Sequence, residues 1–418
     1  MAEQEPRTAV VIGAGIVGTC TALALQEKGF SVTVVDPEGP SEGASYGNAG
    51  VISPWSCVPQ SIPGLWKNVP RWLLDPQGPL AIRWTHLPFL LPWLLRFLQA
   101  GRLHRLPDIA TAMLAINRPS LAHYRRLLAG TGAEDLLLEC KYLHVYRHID
   151  GADPNSLSWR LREEFGVPLE VLRGGAVQEV EPELSPDIQS AMAIKQQGRT
   201  VNPGRLGQVL AHKAMGLGVE FLPHKVHAIV PLTEGGYRVD TDQAAITTRT
   251  LVVAAGVWSA RLLATLGVRA PLEAERGYHL MFRDPGISIN HSVMDSKYKF
   301  VTSSMEGGVR SAGTAEYAGL NAAPDYRRAE IFKALASDLF PNLNTDSTEA
   351  WMGSRSSTPD SLPYIGKVPG YAGMFCAFGH GHLGLTGAPE TGRLVATLAH
   401  GDSAEINLEP YSLARFKS

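Results

Sequence analysis

The chain has 418 residues with 38 Lys+Arg against 40 Asp+Glu, a formal charge of −2, so no basic excess marks it for nucleic acid or another polyanion. Hydrophobic residues at 44% and charged residues at 19% exclude a disordered, collagenous or coiled-coil chain, and the length predicts two or three globular domains at roughly 150 residues each. The 42 glycines exceed the usual share of about 7%, which points to backbone held close to a nucleotide-type ligand. Cys20, Cys57, Cys140 and Cys376 stand far apart and form neither a disulfide framework nor a zinc-ligand pair.

The opening MAEQEPRT is polar and lacks the basic flank and long apolar run of a signal peptide. Residues 8–12 (TAVVI) read as a strand covered on both faces, residues 16–28 as a helix stopped by Gly29, and residues 32–36 (VTVVD) as a second buried strand. A βαβ opening of this kind demands an α/β architecture with a parallel sheet. Between strand and helix lie Gly13, Gly15 and Gly18 in GAGIVG, and Asp36 ends the next strand. Such glycines permit a tight turn and close approach of a pyrophosphate, the helix N-terminus stabilises its charge, and the acid accepts ribose hydroxyls. A bound dinucleotide, NAD or FAD, is the expectation.

Residues 41–54 (SEGASYGNAGVISP) are small or turn-forming and would let backbone amides line a cofactor over a long path. Residues 54–110 are rich in Pro and Trp, including Trp55, Trp66, Trp72, Trp84 and Trp93, and read as a separate lobe or a cover over a site. The most apolar run, residues 87–98 (LPFLLPWLLRFL), is too short to span a bilayer. It is expected to be a buried core helix, with an interfacial anchor as the alternative. Helices are expected over 112–129 and 156–165, and a strand meander over 225–254 with a hairpin at Glu234, Gly235 and Gly236, ending in a buried strand at 251–256.

At residues 41–54 the chain resembles the glycine oxidase and D-amino acid dehydrogenase family of flavoproteins. RWLLDPQGPLAIR at 71–83 is similar to a segment of the bacterial D-amino acid dehydrogenase small subunit, and GRTVNPGRL, VVAAGVWSARL and GHGHLGLTGAPETGRL continue the likeness. The resemblance implies noncovalent FAD, held at Gly13, Gly15, Ile16, Val17 and Asp36, then at Ser45, Asn48, Ala49, Gly50 and Val51. It also implies contacts at Val226, Ala255 and Gly256, and at Gly379, His380, Gly381, His382, Leu383, Gly384, Leu385 and Thr386. A helix beginning near Gly384 would aim its N-terminus at the N1 and C2 carbonyl side of the flavin. His380 and His382 form an HxH that fits a cofactor loop better than a metal site, because no further His or Cys cluster supports it. Cys376 does not match the position of covalent attachment known in sarcosine oxidase relatives.

For the substrate, the resemblance implies Arg355, ahead of the Thr358, Pro359, Asp360 and Pro363 run, as a planar fork for a carboxylate; a structural salt bridge is the alternative. Ser356 departs from the proline many D-amino acid dehydrogenases have. Tyr278 in ERGYHL matches a phenol at the substrate site, although a buried tyrosine with a purely structural bond reads almost as well. Neighbouring Arg276 receives no role, and no acid or base residue is assigned.

The expected fold is therefore a Rossmann-like FAD-binding domain from residues 1–55, 198–270 and 351–418, with a parallel sheet and a β-meander. An α+β substrate domain with an antiparallel sheet is expected from 56–197 and 271–350. The activity implied is oxidative deamination of D-amino acids, a hydride passing from the α-carbon to flavin N5 and electrons onward to a quinone or other acceptor. The expected location is the cytoplasm, with the inner membrane as a contact for residues 66–98. A D-proline or D-hydroxyproline dehydrogenase, a glycine or sarcosine oxidase using oxygen, and a structural FAD-binding protein are the rival readings. The oligomeric state is left open.

Overall fold

A computed structural model describes residues 7–416; the polar opening read above for a signal peptide lies largely outside them. One sheet of six strands runs, edge to edge, Tyr364–Lys367, Met374–Phe378, Thr250–Val253, Thr8–Ile12, Ser31–Val35, Glu220–Leu222. All neighbours are parallel except the first pair. Because side chains alternate along a strand, Ala9 and Val11 face one layer while Val10 and Ile12 face another. The first layer holds helices Ile16–Glu27, Pro203–Gly216 and Gly384–His400, contributing Leu23, Leu206, Leu210 and Leu394 to a common core. The second holds a three-stranded meander, Val226–Pro231, Tyr237–Thr241 and Ile246–Thr248, through Ile229, Tyr237 and Val239. Cover on both faces explains why the central strands Thr8–Ile12 and Thr250–Val253 are nearly continuous apolar, largely β-branched runs.

The second sheet has ten strands. Its main path is Thr348–Ser357, Glu273–Phe282, Gly308–Tyr317, Val301–Met305, Ser292–Asp295, Leu137–Tyr146, Ser190–Thr200 and Val51–Ile52, with Leu80–Ile82 and Leu169–Arg173 attached to its sides. Most pairs are antiparallel. One face buries helix Arg327–Leu339, whose Phe332, Leu335 and Leu339 meet Tyr278, Leu280 and Phe282. The opposite face is turned towards a cleft.

Sheet membership redraws the expected boundaries. A cut at 351 would divide strand Thr348–Ser357, and Val51–Ile52 joins the antiparallel sheet rather than the parallel one. The expected helix over 112–129 is two helices, Leu106–Asn117 and Ser120–Leu128, broken at Pro119; both pack into the core beneath the parallel sheet. The buried core helix expected at 87–98 is corrected as well. Helix Leu87–Ala100 buries Leu90, Trp93 and Phe97, spaced as one helical face, but leaves Phe89, Leu91, Leu95 and Leu98 exposed. Among the described residues, no helix is long and apolar enough to cross a membrane.

Candidate active site

The two sheets enclose a cleft of about 1480 Å³. It opens at the C-terminal ends of strands Thr8–Ile12, Ser31–Val35 and Thr250–Val253, the place where an open parallel sheet receives its ligand. Two glycines at its head are required by the protein itself. A Cβ on Gly13, whose φ is +109°, would lie 2.5 Å from the Ala254 carbonyl oxygen, and one on Gly18 would lie 1.9 Å from that of Gly13. Gly15 differs, since a Cβ there would meet only Ser45 Oγ at 3.4 Å, an ordinary contact. Protein packing leaves that position free, and a Cβ would instead narrow the cleft that Gly15 lines.

Asp36 is fixed from both sides: Oδ2 accepts from the Ala14 amide at 2.8 Å and Oδ1 from the Glu38 amide at 2.9 Å. Ser45 Oγ accepts from the Ile16 amide at 3.0 Å, tying the loop after Asp36 to the start of the first helix. That loop is held from beneath by Arg310, 5% exposed, which donates to the Tyr46 and Asn48 carbonyls at 3.1 and 2.7 Å. His279 Nδ1 lies 3.1 Å from the Gly47 carbonyl, and its ring stacks on Trp351 with centroids 5.0 Å apart. Asn48 Oδ1 accepts from the Gly50 amide, so its side chain shapes the turn.

Of the residues expected to touch the cofactor, all but Gly50, Gly379 and Thr386 line this one cleft. Gly50 and Gly379 serve the backbone, with φ of +79° and +87° and neighbours that a Cβ would strike. Thr386 Oγ1 accepts from the Ser53 amide and binds the helix start to the loop. Helix Gly384–His400 begins at the cleft, as expected, with Tyr124 donating to the Leu385 carbonyl at 2.6 Å. The two histidines of the HxH face different partners: His380 Nε2 meets Thr391 Oγ1 at 2.9 Å, and His382 Nδ1 meets Gln60 at 3.1 Å. Cys376 is buried in its strand and donates to the Gly366 carbonyl. A long cleft with a free glycine turn at a helix N-terminus, an anchored carboxylate and a second helix N-terminus at its far wall fits FAD.

Beyond the flavin end, Arg355 stands directly across from Glu275 in the register of their strands. Gly277, two residues along the strand from Glu275, gives Arg355 its path, since a Cβ there would lie 2.0 Å from Nη2. The guanidinium lies over that gap and donates through Nη1 to Glu275 Oε1 at 2.8 Å and to the Thr314 carbonyl at 2.9 Å, and through Nη2 to the Gly313 carbonyl at 3.3 Å. Glu275 is 3% exposed and also accepts from Ser357 Oγ at 2.7 Å. Burial alone would raise its pKa, but the Arg355 charge and the Ser357 hydroxyl outweigh this and hold it below the usual carboxylate range. Tyr317 lines the cleft beside this pair, and burial together with the Glu275 charge keeps its phenol protonated.

Tyr278 lines the same cleft as Arg355, but its hydroxyl is turned away from the guanidinium. One residue out of phase with Gly277, it sends its hydroxyl to Glu316 Oε2 at 2.6 Å and receives the Asp325 amide at 3.0 Å within the helix-covered face. Asp360, part of the motif that singled out Arg355, holds Arg415 with both oxygens at 2.8 and 3.1 Å. Glu275, Tyr317, Arg310 and His279 carried no motif of their own. Alternation along ERGYHL separates Glu275 from Tyr278, and that was the one available signal for the carboxylate.

With the geometry set out, the similarity to known proteins is informative. The model of the FAD dependent oxidoreductase family (DAO) matches residues 8–398, and the chain belongs to this family. It is 38% identical to a D-amino-acid oxidase of Bradyrhizobium diazoefficiens over 99% of both chains. It is 32% identical to a D-amino acid dehydrogenase of Rhizobium rhizogenes, over 97% of this chain and 99% of that one. Among solved structures, glycine oxidase from Geobacillus kaustophilus shares the fold with a TM-score of 0.75 at 22% identity, covering 99% of this chain and 100% of that one. L-proline dehydrogenase from P. horikoshii does so with a TM-score of 0.76 at 20% identity, covering 99% of each. The protein is an FAD-dependent oxidoreductase.

Two outcomes follow from the site. Gly15→Ala is expected to fold normally by circular dichroism but to retain less flavin per mole of protein, whereas Gly18→Ala loses both folding and flavin; full flavin in Gly15→Ala would remove the reading of that turn. Burial pushes His380 and His279 each down to about 3, so both are neutral when folded while the unfolded chain takes up their protons near pH 6.5. Their contribution is complete above that pH and is lost as pH falls towards 3. In urea titrations His380→Asn should flatten the decline below pH 6.5 by up to about 1.4 kcal/mol per pH unit, and an unchanged slope would contradict this assignment.

Proposed function

We propose that the protein oxidises D-amino acids to imino acids, which water converts to 2-oxo acids and ammonia. The observation that carries this reading is the donor edge of Arg355. A guanidinium has five N–H groups, and three are directed at Glu275, Thr314 and Gly313. The Nε hydrogen and one on Nη2 are left, a parallel pair that matches a carboxylate bidentately. Glu275 and the two backbone carbonyls fix that edge before substrate arrives, which lowers the entropy lost on binding.

When bound, FAD supplies the two-electron acceptor for the hydride leaving the α-carbon. The chain positions the substrate carboxylate at Arg355, and Tyr317, its phenol protonated, lines the same space. Trp93, Leu90 and Phe97 roof the cleft and exclude water; Trp93 Nε1 donates to the Ser357 carbonyl at 3.0 Å, so roof and floor are joined. A neutral amine held in this way needs no dedicated base. The D preference draws support from the two relatives named for D-amino acids. Anaerobic mixing of the yellow protein with D- and L-amino acids, glycine, sarcosine and D-proline should bleach the flavin with D-amino acids. Arg355→Met should lower kcat/KM by about 100-fold or more through loss of a bidentate charged contact. Bleaching by L-amino acids alone, or a variant with unaltered kcat/KM, would refute the assignment.

The electron acceptor is proposed to be a quinone reached at an anionic membrane surface. The mouth of the cleft is lined by Trp66, Leu94 and Leu98, and Trp66, Leu74, Trp84, Phe89, Leu91, Leu95, Leu98 and Leu103 are all exposed. Residues 66–105 carry six Lys/Arg (Lys67, Arg71, Arg83, Arg96, Arg102, Arg105) against Asp75 alone, a local positive excess on a chain of net negative charge. Apolar side chains ringed by cations suit an interfacial contact. The protein is expected to sediment with phosphatidylglycerol vesicles, to be released by high salt, and to bind less after Phe89→Ser with Leu95→Ser. Equal recovery in the supernatant with and without vesicles would end this part of the proposal.

A further inference from the structure

Across the antiparallel sheet from Arg355, the same cleft holds a second group of polar side chains that the reaction above does not use. The sheet floor leads there in register: Ala312 lies opposite Val301, Val301 opposite Met294, and Met294 opposite His144. All four line the cleft, as do Ser296, Lys299, Trp159 and Arg162. Arg162 comes from helix Leu157–Glu164; its Nη1 donates to the Ser158 carbonyl at 3.0 Å and its guanidinium lies 4.4 Å from the Trp159 ring centroid. Lys299 sits in a turn with φ of +57°.

The chemistry of this group is unbalanced. Among the described residues, neither Arg162 nor Lys299 forms an ion pair, and the acid nearest Lys299 in sequence, Asp295, is held by Arg147 at 3.0 Å and by the amides of Lys297 and Tyr298. Arg162 Nε, His144 Nε2 and Ser296 Oγ are buried without a hydrogen-bond partner. Buried donors are ordinarily satisfied, and where they line the cleft Lys299 is exposed and Arg162 half-buried, so both cations are open to an incoming anion. Desolvation and the Arg162 and Lys299 charges hold His144 neutral, so the group carries two positive charges, and the one acid whose charge acts on Lys299, Asp295, is shared with Arg147.

Its place relative to Arg355 is fixed by one glycine. The Gly313 carbonyl accepts from Arg355 Nη2, and a Cβ on Gly313 would lie 3.2 Å from the Lys299 carbonyl oxygen. The backbone of Lys299 is thus about one strand spacing, 4.7–4.9 Å, from the strand on which the Arg355 head rests. From the Arg355 head the cleft floor runs over Ala312 and Val301 towards Lys299, Arg162 and Ser296.

We infer that Arg162, Lys299 and Ser296 form a second anion site, which takes the side-chain carboxylate of an acidic amino acid whose α-carboxylate is held at Arg355. This rests on the proposed function for the role of Arg355. The substrate class is then the amino dicarboxylates, with D-glutamate and D-aspartate preferred over their amides. The amide has nearly the same shape but no charge, so it would forgo the charge-assisted contacts to the two cations.

The test uses the FAD-loaded protein and two readouts. In turnover, kcat/KM for D-glutamate should exceed that for D-glutamine by about tenfold or more, and the ratio should collapse towards unity in Arg162→Met and in Lys299→Met, each checked for flavin content. In binding, glutarate, which has no amine to oxidise, should perturb the flavin spectrum at a Kd at least about tenfold below that of butyrate, again only while the two cations are present. If no amino acid bleaches the flavin, the function proposed above fails while the glutarate and butyrate comparison still decides the anion site. Equal affinity of the two acids, or a D-glutamine rate matching D-glutamate, would overturn the inference.

Discussion

A carboxylate cannot be taken out of water and left alone, and Glu275 has almost no access to solvent. Everything at the substrate end of the cleft is arranged around compensating it. Strand register sets Arg355 opposite, Gly277 clears the way for the guanidinium, Ser357 supplies a hydroxyl, and the Thr314 and Gly313 carbonyls hold what remains. Removing one partner of such a pair destabilises a fold by about 3–5 kcal/mol, so Arg355 is a structural element of this end of the cleft. The salt bridge uses one edge of the guanidinium, which leaves the other for the carboxylate contact proposed above.

The flavin end follows a different logic. There the protein spends backbone rather than side-chain charge: amides are held by Asp36 and Ser45, and carbonyls by Arg310. A buried arginine directed at carbonyls rather than at an acid keeps the loop after Asp36 pressed against the second sheet. The loop therefore belongs mechanically to both sheets, which is also why strand Val51–Ile52 crosses to the antiparallel one.

Local features were legible in the sequence, and pairings were not. The glycine turn, Asp36, the first helix and the helix at Gly384 each depend on residues close in the chain, where steric rules act directly. The motif around Arg355 marks a residue that lines the cleft. Tyr278 was placed at the site although its hydroxyl lies on the other face, because alternation tells which residues share a face but not which face meets the ligand. Helix Leu87–Ala100 is apolar apart from Arg96 and Gln99, so its pattern could not show that Leu90, Trp93, Phe97 and Ala100 would be covered while Phe89, Leu91, Leu95 and Leu98 stay exposed. Domain limits failed at 351 for a similar reason: hydrogen bonding across strands, invisible in composition, assigns Thr348–Ser357 to its sheet.

The central position of strand Thr8–Ile12 has a consequence for biosynthesis. One of its neighbours, Ser31–Val35, follows almost at once, but the other, Thr250–Val253, lies about 240 residues later, which at 5–20 residues per second is roughly 12–48 s of translation. Throughout that interval a β-branched strand destined for the middle of a sheet has one edge unpaired, a template for wrong partners. The wall of the cleft formed by Met374–Phe378 and helix Gly384–His400 is made later still. Cofactor capture must therefore come after nearly all of the described chain has left the ribosome.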